Sequence, residues 1–292
     1  MTQRIAIATS AGFAELHPDE RPLLDALRAA GLDPVVEVWT DPSVSWSAYD
    51  AVLLRTVWDY FLRYDEFTEW LALLDKSGVL VLNDTKQVRW NSDKQYLLEL
   101  REQGVAIVPS QVAAGACLRE VVAGLTGQEI VIKPTVSGNA LHTVRGLAGS
   151  PELDQALAEL PDLVYLVQPF LPEIQSAGEW SLLFFDGEFS HAVVKRPAAG
   201  DYRVQETYGG QVVPTDPPAD VLATAQAALS AAGPTPLYAR VDGVVVNGRF
   251  LLMEIDLIEP YLFLPQSPTA ATHLATALTT RLHPTPTATK TV

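Results

Sequence analysis

The chain has 292 residues, of which 48% are hydrophobic and 19% charged, a composition typical of a globular protein long enough for about two domains. Its net charge of −15 argues against a general binder of nucleic acid or of acidic membranes, because both partners require a basic face. No apolar run of 18 residues and no signal-like N-terminus are present, so we expect a soluble, cytoplasmic protein. Cys117, the single cysteine, excludes an internal disulfide, and we interpret it as a buried small side chain.

The first 83 residues alternate between apolar segments and helical patterns. This alternation is typical of a small parallel α/β domain. No GxGxxG motif follows the first apolar segment, so a dinucleotide site is not expected. We predict strands at residues 4–9, 35–39, 51–55 and 79–82, and helices at residues 20–30 and 65–76, each helix followed by a glycine.

Beyond residue 83, short strands follow one another more densely. Asn247-Gly248 joins the last two of them and is the strongest hairpin signal in the chain. Residues 214–218 are predicted to form a loop, and the Pro- and Thr-rich tail, residues 284–292, to be disordered. We predict helices at residues 91–103 (with Asn91 or Ser92 as the cap), 118–125 and 219–232, and strands at 129–134, 165–168, 180–185, 188–194, 238–246 and 249–258.

Two carboxylates, Glu254 and Asp256, lie two residues apart in an otherwise apolar strand. Side chains alternate along a strand, so both face the same side. A hard cation such as Mg²⁺ would compensate two neighbouring anions, because it takes oxygen ligands from one or two carboxylates together with substrate phosphates. A solvated edge strand with its acidic residues in water explains this segment equally well.

Cationic side chains lie beside other predicted strands and turns. Lys133 ends an apolar strand, Lys94 lies near a predicted helix start, and each has a solvated surface position as its simpler interpretation. The small-residue segment 135–139 could place backbone N–H groups over phosphates. Arginines beside strands suit carboxylate or phosphate recognition; the cations of this kind are Lys195, Arg196, Arg203 and Arg240.

The order of these motifs resembles that of the ATP-grasp superfamily, from about residue 83 to residue 264. The resemblance rests on Asn91-x-Asp93-Lys94, Ile132-Lys133-Pro134, Val167-Gln168-Pro169-Phe170-Leu171, Gly178-Glu179-Trp180-Ser181-Leu182, Arg240-Val241-Asp242 and Glu254-x-Asp256. The ATP-binding part looks like the glutathione-synthetase type. A narrower resemblance, to the group that includes the O-ureido-serine cyclo-ligase of cycloserine biosynthesis, rests on Arg55-x-x-Trp58-Asp59-Tyr60, the segment 189–197 and Leu257-Ile258-Glu259-Pro260.

The resemblance implies an α/β protein with α+β lobes: an ATP-grasp fold preceded by a Rossmann-like pre-ATP-grasp domain. The first domain would cover residues 1–83. The central lobe would cover residues 84–167, with a lid at about 107–167, and the C-terminal lobe would cover residues 168–283. ATP would bind between the two lobes.

The resemblance also implies a role for each matched residue. Lys94, Lys133, Ser137, Gly138 and Glu179 would contact ATP, with the loop at Ser137-Gly138-Asn139 closing over its phosphates, and Gln168, Pro169, Phe170 and Leu171 would hold the adenine at the hinge. Asp242, Glu254 and Asp256 would hold Mg²⁺ or, alternatively, Mn²⁺, and Arg203 and Arg240 would act in catalysis. Arg55, Trp58, Asp59, Tyr60 and Tyr261 are the candidate substrate residues, and Tyr202 could close the other side of the site.

The implied reaction is phosphorylation of a small carboxylate substrate, followed by attack of an amine-type nucleophile, with positioning and charge neutralisation as the main catalytic effects. Ligation could be intermolecular or intramolecular. Two alternatives remain: an ATP-binding regulatory module without ligase chemistry, and a kinase that phosphorylates a stable acceptor. No nucleic-acid or membrane partner is expected, and a homo-oligomer is possible.

The hairpin imposes a geometric condition on the metal site. If Asn247-Gly248 is a two-residue turn in a regular ladder, Val246 pairs with Arg249 and Asp242 lies opposite Met253, on the side away from Glu254. Asp242 reaches Glu254 only through a bulge or a longer loop, for which Gly243 or Gly248 is suitable. We therefore predict an irregularity in this hairpin.

Overall fold

Three β-sheets form the framework of the protein, for which a computed structural model describes residues 2–198, 201, 203–204 and 209–283. Tyr202 and the predicted disordered tail lie outside the described residues. The strands are β1 Arg4–Thr9, β2 Asp33–Val38, β3 Ala51–Thr56, β4 Leu80–Leu82, β5 Gln111–Ala114, β6 Glu129–Pro134, β7 Val144–Leu147, β8 Val164–Pro169, β9 Glu179–Phe185, β10 Glu188–Arg196, β11 Gln211–Pro214, β12 Tyr238–Val246 and β13 Arg249–Asp256. The helices are α1 Arg21–Ala29, α2 Tyr64–Ser77, α3 Thr85–Asn91, α4 Tyr96–Glu102, α5 Gly115–Ala123, α6 Pro151–Glu159, α7 Glu173–Ser176, α8 Ala219–Ala231 and α9 Ala270–Leu282.

The N-terminal sheet is parallel, with strand order β2-β1-β3-β4, as the alternating sequence pattern predicts. Its two central strands, β1 and β3, bury apolar side chains on both faces because helices cover both sides of the sheet. Leu23 and Leu27 of α1 pack on one face together with Leu274 and Leu278 of α9, the last described helix. The N-terminal sheet therefore shares a core with the C-terminal part of the chain.

The other two sheets have antiparallel strand pairs. The central sheet has the order β5-β8-β6-β7 and packs against α5 and α6. The C-terminal sheet has the order β11-β10-β9-β12-β13, and residues of α4 and α8 pack in its core. These sheets fall at residues 111–169 and 179–256; the predicted lobe boundaries at residues 83 and 167 remain predictions.

The helix predicted at residues 91–103 is wrong in its first turn. Asp84 caps α3, and its side chain accepts hydrogen bonds from the backbone N–H groups of Lys86 and Gln87, each 2.9 Å long. This helix ends at Asn91, which is consequently no N-cap, and α4 begins only at Tyr96. An Asp before a helical stretch is a capping signal that the sequence interpretation overlooked.

Further differences concern short or weakly patterned segments. The strands β5 and β7 and the helices α6 and α9 were not predicted, although Ser150 and Pro151 provide a cap and a first-turn proline for α6. Cys117 is exposed on α5 and not buried. None of the helices in the described part of the chain is long and apolar enough to cross a membrane.

Candidate active site

A cavity of about 740 Å³ is lined by strand residues of the central and C-terminal sheets and by residues of the segments that follow strands of the N-terminal sheet. Its volume suits a small-molecule ligand. It brings together most of the residues that the sequence singles out: Trp58, Tyr60, Lys94, Lys133, Ser137, Gly138, Gln168, Pro169, Phe170, Leu171, Glu179, Arg203, Arg240, Asp242, Glu254, Asp256 and Tyr261.

The predicted irregularity of the β12–β13 hairpin is confirmed. Asn247 and Gly248 form a two-residue turn with φ values of 50° and 74°, and Val246 pairs with Arg249. The register then shifts between Gly243, which lies opposite Leu252, and Asp242, which lies opposite Glu254. Met253 is the extra residue, so one bulge brings Asp242 and Glu254 to the same face.

Side chains from the preceding helices fix the outer edge of β13. Asn91 donates to the carbonyl of Ile255 and accepts from the N–H of Leu257, both at 2.7 Å. The Tyr96 hydroxyl makes two hydrogen bonds of 2.8 Å, to the carbonyl and from the N–H of Ile255. These bonds satisfy backbone groups on the free edge of β13. The alternative of a water-exposed edge strand therefore does not apply to the segment that carries Glu254 and Asp256.

Asp242 is buried and surrounded by donors. It accepts from Arg240 Nε at 2.9 Å and from the Ser181 hydroxyl, and Lys195 Nζ lies 3.5 Å from its Oδ1. Burial alone would raise the pKa of Asp242, but the charges of Arg240 and Lys195 outweigh it and hold that pKa below its ordinary value. Asp242 is therefore an anion in this structure.

Glu254 faces two lysines. Lys94 Nζ lies 3.2 Å from its Oε1 and donates at 2.8 Å to the Ser137 carbonyl. Burial would raise the pKa of Glu254, but Lys94 and Lys133 outweigh it and lower that pKa. The Lys133 ammonium makes no ion pair or hydrogen bond within the described residues, and burial, aided by Lys94, lowers its pKa below the ordinary value. Lys133 is thus a half-buried cation that an anionic ligand would stabilise.

The acidic end of the cavity continues beyond β12. Arg240 Nη2 lies 3.3 Å from Asp256, and burial together with the charges of Glu254 and Asp242 raises the pKa of Asp256. Burial and Asp256 raise the pKa of Glu259 well above its ordinary value. The Lys195 ammonium pairs with Glu179 at 2.6 Å, and burial raises the pKa of that carboxyl although Lys195 opposes it.

The three predicted metal ligands lie on one face of the β12–β13 pair. In this structure each of them forms an ion pair with a lysine or an arginine. Within the described residues no three carboxylate, histidine or cysteine side chains converge to hold a metal ion. Asp242 and Asp256 both contact Arg240, and Glu254 contacts Lys94. The donor set suits Mg²⁺ chemically, since all three are oxygen ligands. For these carboxylates to bind the ion, Lys94 or Arg240 would have to leave its ion pair and move toward another anion.

The loop between β6 and β7 lies over the lysines. Asn139 and Ala140 have φ values of 50° and 57°, a left-handed conformation that non-glycine residues rarely adopt. Gly138 lies against the ring of Phe61 from the N-terminal domain, and a Cβ at Gly138 would be 2.4 Å from Phe61 Cε1. A side chain at position 138 would therefore require the Phe61 ring or the loop to move.

The opposite end of the cavity is apolar. Gln168, at the end of β8, is buried and donates at 2.8 Å to the Ser110 hydroxyl. The Arg145 guanidinium lies 3.4 Å from the centre of the Phe170 ring. Val108, Leu171, Ile174, Val204 and Met253 complete the apolar lining.

Two of the predicted substrate residues, Arg55 and Asp59, are absent from the cavity lining and contact other parts of the protein. Arg55 is fully buried and pairs with Glu20 at 2.9 Å, and its Nη2 donates at 2.6 Å to the Pro260 carbonyl. Asp59 accepts from Trp39 Nε1 at 2.8 Å and is absent from the cavity lining. Both side chains bind other residues of the protein. A position at the end of a strand does not predict whether a side chain faces the cavity or a protein partner.

Arg203 and Tyr261 both line the cavity. Arg203 lines the cavity and pairs with Asp201 at 2.9 Å. Tyr261 lines the other end, and its hydroxyl donates to Asp19. Several cavity residues were given no site role in the sequence-based assignment: Phe13, His17, Phe61, Asn91, Lys195 and Glu259. Asn91, Lys195 and Glu259 lie in quoted motifs, and Lys195 was named as a cation suited to anion recognition, whereas Phe13, His17 and Phe61 had no local signal.

Known proteins resemble this chain in both sequence and structure. A family described as the N-terminal domain of D-cycloserine synthetase DcsG matches residues 5–83. The cycloserine biosynthesis protein DcsG of Streptomyces lavendulae is 33% identical over 307 residues, covering 96% of this chain and 99% of that protein. A glutathione synthetase of Parasynechococcus marenigrum (strain WH8102) is 29% identical over 237 residues, covering 78% and 73%. The crystal structure of D-cycloserine synthetase DcsG superposes with a TM-score of 0.85 at 30% identity, covering 96% and 99%.

The fold and the cavity define an ATP-grasp ligase, an enzyme that forms a carbon–nitrogen bond between a carboxylate and an amine at the expense of ATP. Within that class, the chain belongs to the DcsG family. The resemblances drawn from the ordered motifs are thereby confirmed at both levels.

Proposed function

We propose that this protein uses ATP and Mg²⁺ to activate the carboxylate of a small amino-acid derivative, whose own nitrogen then closes a ring. The likeness to cycloserine synthetase favours the intramolecular form of the reaction. Transfer of the γ-phosphoryl group to the carboxylate gives an acyl phosphate and ADP. Attack of the nitrogen on the carbonyl carbon then forms the new bond and releases phosphate and a proton.

The observation that carries the proposal is the alignment of Asp242 with Glu254 beneath Lys94 and Lys133. Phosphates placed between the lysines and the carboxylates would attract Lys94 away from Glu254, and Arg240 would turn to the transferred phosphoryl group. Asp242, Glu254 and Asp256 would then hold Mg²⁺, which would neutralise phosphate charge. The apolar end near Phe170 would take the adenine, and Arg203 would close the phosphate side.

Binding measurements test the metal assignment without turnover. ATP affinity is measured by calorimetry with and without Mg²⁺. We expect Glu254→Gln to remove most of the Mg²⁺ dependence, because it deletes one anionic ligand, whereas Glu102→Gln on an exposed helix end leaves it unchanged. An unchanged Mg²⁺ dependence in the Glu254 variant would contradict the assignment.

Product analysis tests the reaction. The protein is incubated with ATP, Mg²⁺ and O-ureido-serine of either configuration, beside a panel of amino acids and small peptides, and ADP release and product mass are recorded. A cyclised or amide product with free phosphate supports ligation. A phosphorylated stable product would indicate a kinase, and ATP binding without ADP release for any acceptor would indicate a regulatory module.

A further inference from the structure

The residues that follow β13 form an irregular segment beside the cavity. Residues 257–262, which we call the connector, belong to none of the described strands or helices. Ile258, Glu259 and Tyr261 of the connector line the cavity, and so does Phe263, directly after it. The course of the connector therefore sets the shape of one wall of the cavity.

Side chains from other parts of the chain hold the backbone of the connector. A buried carbonyl without a donor costs free energy, and an irregular segment has no strand partner to supply one. The donors come from the N-terminal domain, from β12 and from β10. In chain order, the carbonyls of residues 257, 259, 260, 261 and 262 accept from Asn83 (2.7 Å), Trp58 (3.0 Å), Arg55 (2.6 Å), Arg240 (3.5 Å) and His191 (3.0 Å).

His191 holds the last carbonyl of the connector, that of Leu262. The register of β10 against β9 shifts at Ser190, an extra residue that re-aims the side chain after it. Burial lowers the pKa of His191, so its ring is neutral at neutral pH. Because a carbonyl only accepts, Nε2 carries the proton, and Nδ1 accepts from the Ser190 hydroxyl at 3.0 Å. Two hydrogen bonds thus fix the plane of the imidazole.

The bond from His191 ends at a strained turn. Phe263 has a φ value of 48°, a left-handed conformation that is costly for a residue with a Cβ. Its ring packs edge-on against Tyr261, with 4.8 Å between ring centres. Rotation of the peptide between Leu262 and Phe263 would relieve the strain but would break the bond to His191. The imidazole therefore opposes relaxation of the turn.

We infer that His191 is a positioning residue for the substrate: by holding the Leu262 carbonyl it fixes the turn at Phe263, and with it the rings of Tyr261 and Phe263 that face the substrate. His191 lies outside the cavity lining, so it acts through the connector. This inference rests on the proposed function, which places a carboxylate substrate in the cavity together with ATP.

Amide hydrogen exchange measures the order of the connector directly, in a peptide that covers residues 259–264. His191→Phe retains a ring beside Phe185 but removes the donor, and we expect at least about fivefold faster exchange in this peptide. His191→Gln supplies an N–H donor at similar reach and should stay close to the wild type. A peptide from β1 should exchange equally in all variants, and the exposed His283→Phe should leave both peptides unchanged.

Equilibrium binding shows whether this order matters for the substrate. The probe is O-ureido-serine of either configuration, added to protein that is saturated with Mg²⁺ and a non-hydrolysable ATP analogue. We expect His191→Phe to weaken binding of the probe by at least about threefold, because a disordered wall must be ordered by the ligand. His191→Gln should restore the affinity, and the affinity for the ATP analogue should be the same in all variants.

Two kinds of result would overturn the inference. The first is unchanged exchange in His191→Phe, or equal acceleration in the Phe and Gln variants. The second is an unchanged affinity of His191→Phe for O-ureido-serine, or an equal loss of affinity for the probe and the ATP analogue, which would indicate a general structural role. Failure of the proposed function is distinguishable, because the wild-type protein would then neither bind O-ureido-serine nor release ADP with it, while the exchange comparison would still decide whether His191 holds the connector.

Discussion

Asp242 lies directly opposite Glu254 across β12 and β13 because Met253 is an extra residue in the second strand. Gly243 permits this bulge. A Cβ on Gly243 would lie 2.2 Å from Phe250 Cζ and 2.6 Å from the Leu251 carbonyl oxygen. No rigid backbone accommodates the second contact, so the bulge and the alignment of the carboxylates depend on a glycine at this position.

Gly243→Ala should therefore destabilise the protein and weaken Mg²⁺-dependent ATP binding together. Overpacking of this kind costs about 1–3 kcal/mol. Urea denaturation measures the loss, and calorimetry measures the affinity. Gly12→Ala is the matched control, since a Cβ there meets nothing within 4 Å. An unchanged ATP affinity in a folded Gly243→Ala protein would show that the alignment is not needed for binding.

Lys133→Met should weaken ATP binding without lowering the stability of the protein. Lys133 has no partner among the described side chains, and burial lowers its pKa, so the folded state bears the cost of its charge at neutral pH. The methionine removes that cost. We expect ATP affinity to fall at least about tenfold, or 1.4 kcal/mol, with an unchanged or higher melting temperature. Lys76→Met, at an exposed position in the last turn of α2, should change neither. A lower melting temperature for Lys133→Met would contradict this account.

ATP binding should take up a proton at alkaline pH. Burial lowers the pKa of Lys133 in the free protein below its ordinary value, and the negative charge of bound phosphates favours the ammonium form and raises that pKa again. Affinity should then be constant below the lowered pKa and fall as pH rises between the free and bound values. Calorimetry in two buffers of different ionisation heat measures the uptake, which Lys133→Met should abolish. Proton release or no proton exchange in the wild-type protein would exclude this linkage.

Both ends of β12 and the start of β13 were predictable from the sequence, because Asn247-Gly248 marks the turn and the flanking residues are apolar. The end of β13 was not, since the strand stops at Asp256 and the prediction extended to residue 258. The bulge was predictable only from chemistry, since two carboxylates had to converge. Arg55 shows where such reasoning ends. Its partner Glu20 lies 35 residues away, and a position at a strand end does not tell whether the side chain points into a cavity or into the core.

Arg55→Met should strongly destabilise the protein. It leaves the buried carboxylate of Glu20 and the carbonyl of Pro260 without their donor, and loss of one partner of a buried ion pair costs about 3–5 kcal/mol. Arg55→Met combined with Glu20→Gln should recover part of that loss. Arg28→Met breaks the exposed pair with Asp25 and should cost less than about 1 kcal/mol. Denaturant titrations of the four proteins check this; equal losses in the two single Arg variants would refute the role of burial.

Gly138→Ala should displace the β6–β7 loop from Phe61. The added methyl group would overlap the Phe61 ring, so either the loop or the ring must move. Because Ser137 in the same loop accepts from Lys94, we expect a loss of ATP affinity of about threefold to thirtyfold. Phe61→Ala removes the ring and should restore affinity when combined with Gly138→Ala, giving a coupling of about 0.5–3 kcal/mol in a double-mutant cycle. Gly124→Ala, where the nearest atom is the Val121 carbonyl oxygen at 3.4 Å, is the control. Additive effects of the two changes would mean that the N-terminal domain does not position the loop. A restored affinity would mean that the domain positions the loop through Phe61.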